Sequence, residues 1–486
     1  MSEVRPYRLQ DHFNSILGAC EPDVYHATST EYAELLQTVR IKISENHANE
    51  LSGILTNPKA RDILMPIIVS YVTDYVNDTA DASLNINRTA DKIYQDMAGF
   101  SILTPYLNDP YVEEININAW NAIEIIWNDR FLLLEDTFAS PQDCVDIIRK
   151  MVRIGGVHID YSQPVIDSYI GNGTRITATL PPVVLETTGA IASIRKQTFK
   201  NVTQEKYLEM GFATKEILDF INTCMNANIS MGFAGSPGAG KTTFMTCLLR
   251  DYSRNSNNMN SRIVTIEEAR EIDLTETEDT PPNAETHNVP RMIRRVIHFN
   301  TVSGEKPITA RDLHKQALRL NPKILVPAEM RGAEAIEVVE AGLSGIQIVT
   351  SFHAWGAQDG YLRVLSMCQM ANVSMSETTL LQMIMKAFPI MVFLRKDDDG
   401  VRRIAEVFEP THISEGQVKG NTIFRFRRDS TKEDENGRVI EVIGEFEQCD
   451  SISRRLYHML IQNGAKKDAL KNVYRPDEAY IAPGEE

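Results

Sequence analysis

Ile229-Ser-Met-Gly-Phe-Ala-Gly235-Ser-Pro-Gly-Ala-Gly240-Lys241-Thr242-Thr243-Phe-Met-Thr-Cys-Leu-Leu249 decides the fold. An apolar run short enough for a buried strand leads into G-x-x-x-x-G-K-T, and a helical stretch follows at once. In that order the three pieces form a phosphate cradle. Glycines let backbone N–H groups turn toward a β-phosphate, and the helix N-terminus adds positive potential. Lys241 then reaches the β- and γ-phosphates, and the Thr242 hydroxyl is a Mg²⁺ ligand. Gly235, Ser236, Pro237, Gly238, Ala239, Gly240, Lys241, Thr242 and Thr243 are therefore the candidate nucleotide-binding segment.

Working outward, strands and helices alternate from Ile229 to about Arg395, which predicts an α/β architecture on a parallel sheet. Parallel sheets bind ligands beyond the carboxyl ends of their strands. Three predicted strands end in ionisable groups: Arg262–Ile266 in Glu267-Glu268, Lys323–Val326 in Pro327-Ala-Glu329-Met-Arg331, and Gly345–Thr350 in Ser351-Phe-His353. Glu329 is read as the group that polarises an attacking water, and Glu267 or Glu268 as the holder of Mg²⁺, directly or through water. His353 suits a γ-phosphate sensor better than a base, because the carboxylates already fill that role.

On the N-terminal side, residues 1–95 are polar with helical apolar spacing at Tyr32, Leu35, Leu36, Val39 and Ile43, and read as a helical extension. Residues 96–200 read as an α+β module. Ile115–Asn118 and Ile123–Trp127 alternate as strands, Ser140-Pro-Gln-Asp opens a helix that Gly155-Gly156 stops, and two strands flank Gly171-Asn-Gly. Pro181-Pro182 opens a linker before strand character returns at Ala190–Lys196. Residues 201–412 read as the α/β phosphate-binding domain. Residues 413–486 read as a small appendage with strands, a charged turn at Thr431–Gly437 and a helix near Ser453–Asn463.

Composition bounds the function. At 486 residues the chain is long enough for about three domains. Fifty Lys plus Arg against 66 Asp plus Glu leave a formal charge of -16, so nucleic acid is not indicated as a partner of the surface at large. The basic positions Arg291, Arg294, Arg295, His298 and Arg402-Arg403 form local basic patches that read first as a solvated helix face, with pore, interface or phosphate contacts as the alternatives. Six scattered cysteines form no metal or disulfide pattern, which suggests a reducing cytoplasm. No apolar run approaches the ~20 residues of a membrane span, and the first residues lack a secretory h-region. Membrane association is then expected through partners.

From Leu107 to Pro410 the ordered motifs resemble those of the type II/IV secretion ATPases, most closely the tight-adherence (Flp) pilus branch. They are Asn108-Asp-Pro-Tyr-Val-Glu-Glu-Ile, Gln163-Pro-Val-Ile-Asp, Gly173-Thr-Arg-Ile, Leu180-Pro-Pro, Ser193-Ile-Arg-Lys, the phosphate loop, Thr265-Ile-Glu-Glu, Ala317–Val326, Glu329-Met-Arg-Gly-Ala-Glu-Ala and Phe352-His-Ala. The resemblance implies a RecA-like P-loop core preceded by a PAS-like α+β domain, with ATP and Mg²⁺ as cofactors. It places Glu267–Glu268 in an acidic box, Glu329 in Walker B and His353 in a histidine box. Arg175 and Arg195 resemble the arginines that approach the nucleotide phosphates, across a subunit interface or within one chain.

By the same resemblance the protein is a cytoplasmic homo-hexamer at the inner face of the membrane. It would work with a platform protein and drive pilin-like or secreted substrates by hydrolysis-powered domain rotation. A conjugation-type ATPase moving DNA or protein, and a nucleotide-gated scaffold with weak hydrolysis, are the alternatives. The chain departs from the family pattern at Pro327-Ala328, at Glu268, at Ser351-Phe352 and at Ala119-Trp120. A proline at 327 removes a backbone donor inside what should be a central strand.

Overall fold

The computed structural model describes residues 60–481 except 80–84, 99, 110, 128–129, 155–156, 170–173, 197–201, 256–257, 259–260, 269–270, 273, 275–295, 302–307 and 436, together with a few positions between 35 and 47. The chain divides into two compact units after Thr198.

In the first unit, helices α1 (Ala60–Thr79) and α2 (Ile86–Ala98) pack together. Leu64, Ile68 and Val72 meet Ala90 and Ile93, and the buried Leu35, Val39 and Ile43 complete this cluster at the helical spacing read from the sequence. Tyr32 lies outside the described residues. An antiparallel sheet follows: β1 (Val112–Ala119), β2 (Ala122–Trp127), β3 (Arg130–Leu133), β4 (Val165–Tyr169), β5 (Arg175–Thr179) and β6 (Ile191–Arg195), in the order β3-β2-β1-β6-β5-β4. Helix α3 (Pro141–Ile154) covers one face with Cys144, Val145, Ile148, Met151 and Val152. The stretch after Pro181-Pro182 does not lead away from this unit. It returns the chain so that β6 inserts between β1 and β5, pairing Ile115 with Ile194 and Ile176 with Ile194. Two prolines at a turn look alike in sequence whether the chain leaves a sheet or doubles back into it.

Among the described residues, the second unit is built on a nine-stranded sheet. After the short helices α4 (Gln204–Glu209) and α5 (Lys215–Asn226) come β7 (Met231–Gly235), α6 (Lys241–Arg254), β8 (Ile263–Glu267), β9 (Val296–Asn300), α7 (Ala310–Leu318), β10 (Ile324–Pro327), α8 (Ala335–Leu343), β11 (Gln347–Phe352), α9 (Ala357–Gln369) and α10 (Glu377–Ala387). Then follow β12 (Ile390–Lys396), β13 (Arg402–Ser414), β14 (Gln417–Glu433), β15 (Val439–Gln448) and α11 (Arg454–Gln462). The sheet order is β15-β14-β13-β12-β7-β11-β10-β8-β9. Strands β12 through β9 run parallel, whereas β13, β14 and β15 add on antiparallel.

Continuous apolar runs make the parallel part because helices cover both faces. Ile324 and Val326 belong to one core layer and the intervening Leu325 to the other. Each such fully buried aliphatic side chain contributes about 1.5–3 kcal/mol. The β13·β14 ladder, from Glu406↔Arg425 to Ser414↔Gln417, runs across position 413, so the residues after it continue the sheet of the second unit. Helix α11 is capped by Ser453, whose side chain accepts from Leu456 N–H. No helix among the described residues is long and apolar enough to cross a membrane.

Candidate functional site

The central strand β7 delivers the phosphate loop. Its last residue, Gly235, pairs with Leu394 of β12, and a Cβ at 235 would stand 2.3 Å from the Leu394 carbonyl oxygen, so only glycine allows this approach. Gly240 takes φ 87° and caps α6 without any side-chain hydrogen bond, which leaves the first turn of the helix open to an anion. Lys241 is 7% exposed and curls back over the loop, donating to the carbonyls of Gly235 (3.0 Å) and Ser236 (2.9 Å). Ala239 is buried and Pro237 exposed, while Ser236, Gly238, Thr242 and Thr243 are half-buried; the Thr242 carbonyl accepts from Thr246 Oγ1 at 2.8 Å.

The strand exits form a chain of contacts that starts at this loop with His353, passes to Glu329 and reaches Glu268 through Arg331. His353, just past β11, places Nδ1 3.2 Å from Lys241 Nζ and 3.0 Å from the Gly235 carbonyl. Its Nε2 lies 3.1 Å from Glu329 Oε1, which follows β10. That contact is off hydrogen-bonding alignment, so Oε1 is buried with no hydrogen bond. The ring thus stands between the loop lysine and the carboxylate. Glu329 Oε2 accepts from Arg331 Nη2 at 2.8 Å, and Arg331 Nη1 donates to Glu268 Oε2 at 2.5 Å. Burial drives the Glu329 carboxyl upward, but the hydrogen bond and charge of Arg331, aided by His353 and Lys241, outweigh it and hold the group below its ordinary range.

The two acidic-box residues are not equivalent. Glu267 is 2% exposed and accepts from Thr265 Oγ1 (2.9 Å) and from the backbone N–H groups of Glu271 (2.8 Å) and Ile272 (2.9 Å). Both its oxygens are therefore engaged in holding the chain after β8. Glu268, by contrast, is exposed and meets Arg331. A Mg²⁺ ion binds through one or two side chains, several waters and the substrate's phosphates, and the Thr242 hydroxyl with Glu268 fits that donor set better than Glu267 does. Among the described residues no cluster of three or more His, Cys, Asp or Glu side chains could hold a metal by itself.

Strand β10 is stitched to β11 in an unusual way. The paired register ends at Leu325↔Ile348. Beyond it, Met330 N–H donates to the Ser351 carbonyl at 2.8 Å and Ser351 Oγ donates to the Ala328 carbonyl at 2.7 Å.

The two arginines of the α+β module sit side by side, Arg175 of β5 opposite Arg195 of β6. Arg175 Nε donates to Asp167 Oδ1 at 2.8 Å, and Arg195 is exposed at its strand end. Sequence reading missed Arg331 as a site residue, although its place two residues past Glu329 was a signal. It also placed Arg402-Arg403 and His298 on a solvated helix, which is incorrect. Arg402 and Arg403 open β13, and His298 lies in β9 with Nδ1 2.8 Å from Thr265 Oγ1. Arg291, Arg294 and Arg295 lie outside the described residues.

A Mycobacterium tuberculosis protein named for conjugal transfer is 24% identical over 342 residues, covering 68% of this chain and 90% of the relative. VirB11 of the Brucella suis type IV secretion system is 26% identical over 297 residues, covering 54% of this chain and 75% of the relative. Among solved structures, the Legionella pneumophila ATPase DotB aligns with a TM-score of 0.42 at 18% identity, covering 65% of this chain and 80% of DotB. The family model described as type II/IV secretion system protein matches residues 142–423, more than half of the chain and including the phosphate loop and all three strand exits. The chain belongs to the type II/IV secretion system protein family.

Proposed function

We propose that the chain is an ATPase that converts ATP and water to ADP and phosphate to power a secretion or pilus-assembly machine. The carrying observation is the line of contacts from Lys241 through His353 to Glu329, which ends in a buried carboxylate oxygen without a hydrogen bond. An ionised carboxylate with one oxygen outside any hydrogen bond, linked through His353 to the loop lysine, can accept a proton from, and so orient, an attacking water. Bound Mg²⁺ supplies charge neutralisation at the phosphates. Lys241 leaves its loop carbonyls to meet the phosphates, His353 reports on the same end of the loop, and Arg331 keeps Glu329 ionised.

In the fuller reading the protein is a cytoplasmic homo-hexamer that binds an inner-membrane platform protein and moves pilin-like or secreted substrates by domain rotation. Arg175 and Arg195 would approach the phosphates, an effect worth about 10³–10⁵ in rate for an arginine finger. The tight-adherence pilus branch rests on the motif resemblance. A conjugation-type type IV secretion machine moving DNA or protein is favoured instead by the names of two relatives, conjugal transfer for the one from M. tuberculosis and type IV secretion for the one from B. suis.

Phosphate release by wild type, Glu329→Gln and Lys241→Ala tests the enzymatic core. Turnover in wild type, loss in both variants and retained ADP binding in Glu329→Gln are expected. Equal rates for wild type and Glu329→Gln would remove the catalytic assignment, and unchanged ADP binding by Lys241→Ala would remove the phosphate loop's.

A further inference from the structure

The adjacent Arg402 and Arg403 have different tasks. Successive side chains on a strand point to opposite faces. Arg403 is buried and donates to Asp397 (2.8 Å) and to both oxygens of Asp399 (3.1 and 2.9 Å), with its guanidinium 4.9 Å from the centre of the Phe426 ring. Asp399 in turn accepts from the Val442 N–H of β15 at 2.9 Å. This network fixes the turn between β12 and β13 and the outer hairpin to each other. Arg402 reaches the other way. Its Nε donates to the Gly238 carbonyl at 2.9 Å across a sequence separation of 164, and its Cδ would stand 3.3 Å from a Cβ at Gly240.

A phosphate loop works by turning its N–H groups into one concavity, and a peptide whose N–H points inward must point a carbonyl outward. Such carbonyls still require partners. Gly238 offers one, and the partner is a cation rather than a neutral donor. A charged donor on that oxygen holds and polarises the peptide plane, whose N–H, that of Ala239, donates to the Ser236 carbonyl at 3.3 Å and closes the turn of the loop.

We propose that Arg402 is a positioning residue of the phosphate loop, supplied by β13, that fixes the loop in the shape accepting the β-phosphate of a nucleoside di- or triphosphate. This rests on reading Gly235–Thr242 as a nucleotide site. Arg402 does not touch the reacting atoms in this reading, so it acts on affinity more than on chemistry.

Titration of fluorescent ADP into wild type, Arg402→Met and Arg402→Lys tests it. Methionine keeps an aliphatic stem over Gly240 but removes the donor and the charge. The expected result is about tenfold weaker ADP binding in Arg402→Met, equivalent to about 1.4 kcal/mol, with most of the affinity restored in Arg402→Lys. KM for ATP should rise in parallel while kcat stays within about twofold. Should Arg402→Met fold poorly, Arg402→Gln, which retains a neutral donor, carries the same comparison. Equal ADP affinity in wild type and the folded variants overturns the proposal, as does a loss in kcat with KM unchanged. Absence of ADP binding by wild type sinks the nucleotide reading and this inference with it. ADP binding by wild type together with full turnover in Glu329→Gln would remove the catalytic assignment alone and leave the Arg402 result standing.

Discussion

Replacing Arg331 with glutamine separates what this residue does for stability from what it does for chemistry. Its side chain is 46% exposed and its partners Glu268 and Glu329 are 55% and 27% exposed. Exposed ion pairs of this kind contribute only about 0–1 kcal/mol each. With solvent screening discounted, the unfolding midpoint should fall by no more than about 2–4 °C. The effect on Glu329 is larger. Burial pushes that carboxyl upward and Arg331 is the first of the groups opposing it, so Arg331→Gln lets the folded-state value rise. A depressed carboxyl is ionised over a wider range and loses its charge only as pH falls through its folded value. The variant therefore loses ionised Glu329 earlier on acidification, and the acid limb of turnover moves to higher pH. Freed from its fork, the carboxylate also shifts, and about 1 Å of misplacement costs up to about 10²-fold in rate. Phosphate release from pH 5 to 9 should show kcat reduced by about 10- to 100-fold near neutrality, with ADP affinity unchanged. An acid limb that superimposes on wild type, or a kcat within twofold of it, refutes the reasoning.

Two other outcomes follow from buried groups. Ser351→Ala deletes the donor to the Ala328 carbonyl and should cost about 1–2 kcal/mol of stability, with Ser351→Thr restoring it; equal unfolding midpoints for wild type and Ser351→Ala would contradict this. Glu409 is fully buried, and burial raises its carboxyl despite hydrogen bonds from Ser453 N–H (2.8 Å) and Asn421 (3.2 Å). A raised carboxyl contributes stability that is complete below its unfolded value and is lost as pH rises through the folded one. Denaturant titrations should then show wild type weakening with pH relative to Glu409→Gln, by at most about 1.4 kcal/mol per pH unit above the ordinary carboxylate range; parallel pH profiles would contradict it.

The phosphate loop and the three strand exits are legible in the sequence because each is contiguous. A two-face-buried strand must be an apolar run, and the residue that ends it must sit at the sheet's carboxyl edge. The end of the α/β segment has no such contiguous marker. Beyond Glu409 the texture turns strand-like again, as in Ile423-Phe-Arg-Phe-Arg, which reads as a boundary at 413. The structure shows the sheet changing from parallel strands to antiparallel ones whose outer members, β14 and β15, carry many exposed positions, so the texture changes while the sheet continues. Arg402-Arg403 fail for a related reason. Two adjacent arginines look solvated until the turn between β12 and β13 brings Asp397 and Asp399 onto one of them and the phosphate loop onto the other. Neither pairing has a local signature.

Pro327 and Ser351, which the sequence presents as two separate departures, are one arrangement in the fold. Along a parallel strand, successive N–H groups point alternately to the two neighbours. Ala328 N–H goes to Ile266 of β8 at 2.9 Å, so position 327 faces β11. The β10·β11 register has already ended at Leu325↔Ile348, and a proline there removes a donor that the ladder no longer uses. The strands are rejoined immediately afterwards by Ser351, whose hydroxyl holds the Ala328 carbonyl and whose carbonyl holds the Met330 N–H. Glu329 stands between those two ties. A hydroxyl at 351 thus fixes the backbone on both sides of the carboxylate that a proline two residues earlier would otherwise leave loose. That favours a working hydrolytic site over a scaffold whose Walker B strand has decayed. A scaffold has no need to hold residue 329 from both sides, whereas a carboxylate that must meet a water within a fraction of an ångström does.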